Sequence, residues 1–124
     1  MRSSFVHDVP ASRVVFGAGA LARVGDELAR LGARRVLVVA GRHEGSHVER
    51  ITTQLGDRHV ATVTEVVMHV PTAVAQRAVA LARDSRADAL VAVGGGSATG
   101  LAKAVARELG LPILAVPTTY AARR

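Results

Sequence analysis

Short apolar runs alternate with longer amphipathic stretches along this chain, and the alternation predicts its elements. Residues 5–18 read as an extended lead-in that contains a short strand at Val14-Val15-Phe16, and Gly17-Ala18-Gly19 reads as a turn. From Ala20 to Leu31 the spacing is helical: Leu21, Val24, Leu28 and Leu31 form one stripe, and Gly32 closes it. Arg35 to Ala40 is a buried strand, Gly41 to Gly45 a polar loop, and Ser46 a cap for a helix running to about Leu55. Val60 to Val67 is a third strand. Pro71 suits the start of a helix that reaches about Ser85, with Val74, Ala78 and Leu81 inward. Ala87 to Val93 is a fourth strand, Thr99 to Leu109 a helix ended by Gly110, and Leu111 to Val116 a fifth strand closed by Pro117.

Strands that are apolar throughout, rather than alternating, are those of a parallel sheet covered on both faces. The order strand–helix–strand therefore predicts an α/β layer fold with a mainly parallel sheet. The length, 124 residues, fits one domain. Hydrophobic residues make up 49% but aromatics only 2%, so the core must be built from Val, Leu, Ala and Ile.

The formal charge of +6 raises nucleic acid as a partner. The bases are scattered among acids, however, and only Arg34-Arg35 and Arg123-Arg124 are adjacent pairs. Phe5, Phe16 and Tyr120 are the only aromatics, so no stacking platform is expected and nucleic acid is set aside. No apolar stretch approaches the roughly 20 residues needed to span a bilayer, and the N-terminal residues are too polar for a signal-peptide core. The absence of cysteine excludes thiol chemistry and agrees with a cytoplasmic location.

Two glycine-rich turns compete for a phosphate. Gly17-Ala-Gly19-Ala-Leu-Ala22 resembles a dinucleotide fingerprint, but that reading needs an acid at the end of the next strand for ribose hydroxyls. That strand ends Val39-Ala40-Gly41-Arg42, without one. Gly94-Gly95-Gly96-Ser97 is the stronger signal. It follows an apolar strand and opens a helix, where unpaired backbone N–H groups meet an anion. Three successive glycines cost about 0.5–1 kcal/mol each relative to alanine, which a plain connection rarely needs. Ser97 is read as a helix cap whose hydroxyl also reaches a phosphate oxygen. The string is not a P-loop, because its lysine and Ser/Thr are absent; Lys103 lies too far down the helix. After the last strand, Thr118 and Thr119 suit hydrogen bonds to phosphate, ribose or a nicotinamide amide, and serve equally as an ordinary helix start. His7, His43, His47, His59 and His69 show no metal-ligand spacing. His69, after a strand end, is placed either near a bound cofactor or in a solvated loop. No complete catalytic set is visible.

Taken together, Arg13-Val-Val-Phe-Gly-Ala-Gly19, Met68-His-Val-Pro71, Gly94-Gly-Gly-Ser-Ala-Thr-Gly-Leu-Ala-Lys103 and Gly110-Leu-Pro-Ile-Leu-Ala-Val-Pro-Thr-Thr-Tyr-Ala121 resemble the iron-containing alcohol dehydrogenase and dehydroquinate synthase-like superfamily. The closest likeness is to its maleylacetate reductase branch, because Gly100-Leu101 stands where the broader pattern has an acid. The resemblance implies a Rossmann-like open sheet with helices on both faces, the dehydroquinate synthase-like N-terminal domain, spanning residues 1–124. It implies NAD(P)H as cofactor and reduction of maleylacetate to 3-oxoadipate in aromatic-compound degradation.

By the same resemblance Gly95, Gly96 and Ser97 hold the pyrophosphate, and Gly94 belongs to the same cofactor-binding turn. Thr118 and Thr119 line the crevice, and Gly41 and Arg42 approach the adenosine ribose. NADH and NADPH are left undivided, with Arg42 leaning to the latter. Family members continue past the Thr-Thr-Tyr-Ala segment with Gly-Ser-Glu and a helical domain carrying substrate and metal ligands; here Ala122-Arg123-Arg124 follows. The expectation is thus an incomplete, inactive N-terminal fragment that holds no metal, takes a small carboxylic acid only when the second domain is supplied, and self-associates through uncovered apolar surface. An alcohol or glycerol dehydrogenase fragment and a non-catalytic nucleotide-binding module are the alternatives.

Overall fold

The computed structural model describes residues 12–14, 19–64 and 72–118. Its strands are β1 (Ser12–Val14), β2 (Val36–Ala40), β3 (His59–Val63), β4 (Ala89–Val93) and β5 (Ile113–Val116). They form one sheet in the order β1-β5-β4-β2-β3, and every neighbouring pair is parallel. Between them run α1 (Val24–Arg30), α2 (Gly45–Leu55), α3 (Thr72–Asp84) and α4 (Gly96–Leu109). A 3₁₀ turn, Ala20–Arg23, leads into α1, and another, Gly56–Arg58, follows α2.

The period-2 geometry of a strand divides the apolar runs between two cores. Val36, Val38, Ala40, Ala89, Val91, Val93, Leu114 and Val116 pack with Val24 and Leu28 of α1 and Ile51 and Leu55 of α2. Leu37, Val39, Leu90, Ala92 and Ile113 face the other way, onto Val74, Ala78 and Ala82 of α3 and Leu101, Ala102 and Val105 of α4. All five residues of β2 and of β4 are buried, as expected of strands covered on both faces. Each large aliphatic side chain enclosed in this way contributes about 1.5–3 kcal/mol. The helices cover both faces because right-handed crossovers require it. Connections running toward β3 lie on one side, and those running back toward β5 lie on the other.

The strand order creates a switch point. The chain leaves β2 toward β3 and leaves β4 toward β5, in opposite directions along the sheet. The carboxyl ends of these two adjacent strands therefore border a crevice, the position where open α/β sheets bind ligands.

Several expected boundaries shift. α4 begins at Gly96 rather than Thr99, so the glycine string is mostly helix start rather than loop. In α3 the third buried position is Ala82, which continues the i, i+4 row of Val74 and Ala78, while Leu81 is 37% exposed at the edge of that row, beyond Val74. Ser46 lies inside α2, whose N-cap is Glu44. Phe16, the strand continuation past Thr64, Pro71 and His69 lie outside the described residues. Among the described residues no helix is long and apolar enough to cross a membrane.

Candidate functional site

Three segments converge at the carboxyl edge of the sheet: the turn after β2, the glycine turn after β4 and the residues after β5. The parallel ladder extends one step beyond the strands to join them. The Gly41 N–H donates to the Val93 carbonyl at 3.3 Å, and the Gly94 N–H donates to the Val116 carbonyl at 3.1 Å. Gly94 is buried and has φ +123°, a conformation that L side chains rarely adopt. Its N–H already serves the sheet, so its contribution is conformational: it turns the chain out of β4 into α4.

Gly95 then takes the N-cap position of α4, without a side-chain cap. The Thr99 N–H returns to the Gly95 carbonyl at 3.2 Å and closes the first helical turn. The N–H groups of Gly95, Gly96, Ser97 and Ala98 precede that turn, and a helix lends them no carbonyl of its own. Fourteen residues of aligned peptide dipoles place partial positive charge there. A side chain at Gly96 would meet nothing within 4 Å, so a ligand has open approach to the backbone. Ser97 is half-buried in the first turn rather than at the cap, which corrects its expected role as the helix-capping hydroxyl.

Across the crevice stands a residue that the sequence reading passed over. Glu44 closes the turn after β2, with its N–H donating to the Gly41 carbonyl at 3.1 Å, and begins α2. Its side chain makes no cap to its own helix. Instead it folds over the end of the sheet, leaving the residue only 9% exposed. Thr118 Oγ1 donates to Glu44 Oε2 at 2.7 Å, and Oε1 lies 2.7 Å from His47 Nδ1. A β-carbon at Gly94 would come within 3.3 Å of Oε2. The carboxylate thus touches all three converging segments. The opposite end of α2 is anchored by Gln54, whose Oε1 accepts from the Gly25 N–H at 2.8 Å and whose Nε2 donates to the Leu21 carbonyl.

The reading that β2 lacks an acid at its end is thereby corrected. No acid occupies Gly41 or Arg42, but the turn brings back the one four residues beyond Ala40. The usable signal was an acid just before a helix that follows a buried strand. Of the expected site residues, Gly41, Gly94, Gly95, Gly96, Ser97 and Thr118 lie around this crevice, while Arg42 is exposed on the turn after β2. Thr119 lies outside the described residues. Gly19, last glycine of the rival string, follows β1 at the edge of the sheet, away from the switch point. Among the described residues no three side chains of His, Cys, Asp or Glu gather as a metal site.

The arrangement sets a helix N-terminus beside a buried carboxylate that accepts from a hydroxyl. The sequence pattern of the iron-containing alcohol dehydrogenases matches residues 11–122. The chain is 49% identical over 117 residues to a maleylacetate reductase of Sphingobium indicum, covering 94% of this chain and 33% of that protein. The crystal structure of maleylacetate reductase from Rhizobium sp. strain MTP-10005 superposes with a TM-score of 0.81 at 41% identity, covering 91% of this chain and 32% of that one. The NADH-dependent butanol dehydrogenase A of Thermotoga maritima superposes with a TM-score of 0.72 at 27% identity, covering 88% of this chain and 33% of that one. The chain thus spans about a third of the length of the relatives it matches. It belongs to the iron-containing alcohol dehydrogenase family, within which its similarity runs to the maleylacetate reductases.

Proposed function

We propose that this chain binds the dinucleotide of a reductase that converts maleylacetate to 3-oxoadipate with NADH or NADPH in the cytosol. The observation that carries the reading is the start of α4 at the switch point, facing Glu44 and Thr118 across the crevice. On this reading the N–H groups of Gly95, Gly96 and Ser97 hold the pyrophosphate, and Gly94 sets the turn that aims them. Thr118 offers its hydroxyl from the neighbouring strand end, and Gly41 keeps the wall beneath the ribose free of a side chain. When bound, the nicotinamide supplies a hydride which, with a proton from solvent, saturates a carbon–carbon double bond. Names of relatives support both parts: the matched maleylacetate reductases for the substrate, the butanol dehydrogenase for a nicotinamide cofactor.

Hydride transfer needs donor and acceptor held in near contact, and this crevice supplies one wall. The remaining two thirds of the relatives' length is therefore proposed to carry the substrate side, so that this chain alone binds cofactor without turnover. Titrating NADH, NADPH, ADP and AMP into the protein while following its backbone amide resonances tests the binding. Gly95, Gly96 and Ser97 are expected to shift with the phosphate-bearing ligands; no shift with any of the four overturns the reading. Separately, NADH-dependent loss of maleylacetate at an ordinary enzymatic rate with this chain alone overturns the requirement for a second wall.

A further inference from the structure

A carboxylate beside an anion site is selective, because it welcomes hydroxyl donors and repels a second anion. We propose that Glu44 determines which dinucleotide the crevice takes, receiving a ribose with free hydroxyls and rejecting one that carries a phosphate, so that NADH is preferred to NADPH. The proposal rests on the reading of the α4 start as the pyrophosphate site.

Three observations carry it. The side chain of Glu44 is 11% exposed, so solvent and salt screen its carboxylate far less than a surface charge. It has acceptor capacity to spare: an ionised carboxylate offers about four lone-pair sites, and the contacts described engage one on each oxygen, from Thr118 and His47. It lies against Gly94, the residue before the N-cap of α4. The competing charge is Arg42, which with His43 is exposed on the same turn. Exposed charges are worth little against a buried one, so the crevice takes its sign from Glu44 rather than Arg42. Like-charge exclusion of the wrong ligand is a usual device of specificity.

The simpler role for Glu44 is a tether that joins the β2 turn to the end of β5 through Thr118. Glu44→Gln separates the two, since it keeps the shape and an oxygen to accept from Thr118 while removing the charge. The experiment measures dissociation constants of NADH and NADPH for the wild type, Glu44→Gln and Glu44→Asp by calorimetry. Wild type is expected to bind NADH at least about tenfold more tightly, about 1.4 kcal/mol. Glu44→Gln is expected to narrow the ratio to below about threefold by gaining affinity for NADPH, and Glu44→Asp to keep the preference.

Equal binding of the two by wild type overturns the proposal and leaves dinucleotide binding standing. An unchanged ratio in Glu44→Gln also overturns it, in favour of the tether. Absence of binding by either nucleotide overturns this proposal and the dinucleotide reading together. The wild-type ratio tests the idea even where a variant does not fold.

Discussion

Each end of the sheet carries an acidic side chain, and the two are held by different kinds of partner. At the amino end Asp88 precedes β4, and its carboxylate accepts from the backbone N–H groups of Arg34 at 3.1 and 3.0 Å and of Arg35 at 3.0 Å. Its own N–H donates to the Arg35 carbonyl at 2.7 Å, and Arg35 Nε reaches the Ser85 carbonyl at 2.9 Å. Main-chain partners cannot leave without moving the chain, so Asp88 is a fastening. At the carboxyl end Glu44 is held by a hydroxyl and an imidazole, both side chains that rotate. Such a carboxylate can exchange its partners for those of a ligand. The contrast lies in the kind of donor, since both acids bind within hydrogen-bond distance.

The sharpest way to break this comparison is to damage the carboxyl end at its hinge. Gly94→Ala forces a side chain into φ +123° and places a β-carbon 3.3 Å from Glu44 Oε2. A strained backbone position of this kind costs about 1–3 kcal/mol. The carboxylate and the start of α4 must shift together, so NADH binding is expected to weaken more than tenfold, about 1.4 kcal/mol. Urea unfolding and NADH titration measure the two effects. A variant that binds as wild type does would move the ligand away from this turn.

Next in size is Asp88→Ala, which leaves the Arg34 and Arg35 N–H groups without their carboxylate. Exposure lets water replace some of the loss, so the expected destabilisation is about 1.5–2 kcal/mol, the low end of the range for hydrogen bonds to a charged group. Cofactor affinity in the folded variant is expected to be unchanged within about twofold, well under the 1.4 kcal/mol of a tenfold effect. A larger change would mean that the two ends are coupled and that the fastening also tunes the site.

Thr118→Val inverts that pattern. It removes one part-buried hydrogen bond where Asp88→Ala removes three, so stability is expected to fall by only about 0.5–1 kcal/mol. NADH affinity is expected to fall about three- to tenfold, up to about 1.4 kcal/mol, because the hydroxyl faces the crevice. Equal losses for Asp88→Ala and Thr118→Val in both measurements would dissolve the distinction.

The same contrast separates what the sequence made legible from what it did not. Val36–Ala40 and Ala89–Val93 announced themselves as doubly covered strands, and the adjacency of β4 and β5 placed Thr118 beside the glycine turn as expected. These are local patterns, since apolar periodicity and turn chemistry act over a few residues. The start of α4 was misplaced because glycine reads as loop although an N-terminal helical turn tolerates it. Hydrophobicity alone does not fix where the edge of a helical stripe falls, and Leu81 lies on the exposed side of that edge. Glu44 was missed for a different reason. Its bond to Thr118 joins positions 74 apart, and the parallel ladder around β4 creates the meeting. An acid just before a helix that follows a buried strand is a local signal, but only strand order reveals that it is buried and what it meets.

Arg42 offers the smallest and most discriminating test. It stands two residues before Glu44 on the same turn, yet it is exposed where Glu44 is buried. By sequence alone it was the charge nearest the end of β2 and leaned toward a phosphorylated ribose. An exposed guanidinium is screened over about 8–10 Å at ordinary ionic strength, and exposed pairs contribute about 0–1 kcal/mol. Arg42→Ala is therefore expected to weaken NADH and NADPH alike by less than about threefold, and the effect is expected to vanish as salt is raised toward ~1 M. A selective loss of NADPH binding that survives high salt would mean that Arg42 reaches into the crevice and contacts the ribose phosphate directly. The sign of the site would then be set by the exposed guanidinium. A small, unselective and salt-sensitive loss leaves the buried acid as the group that distinguishes the carboxyl end of the sheet from its fastened amino end.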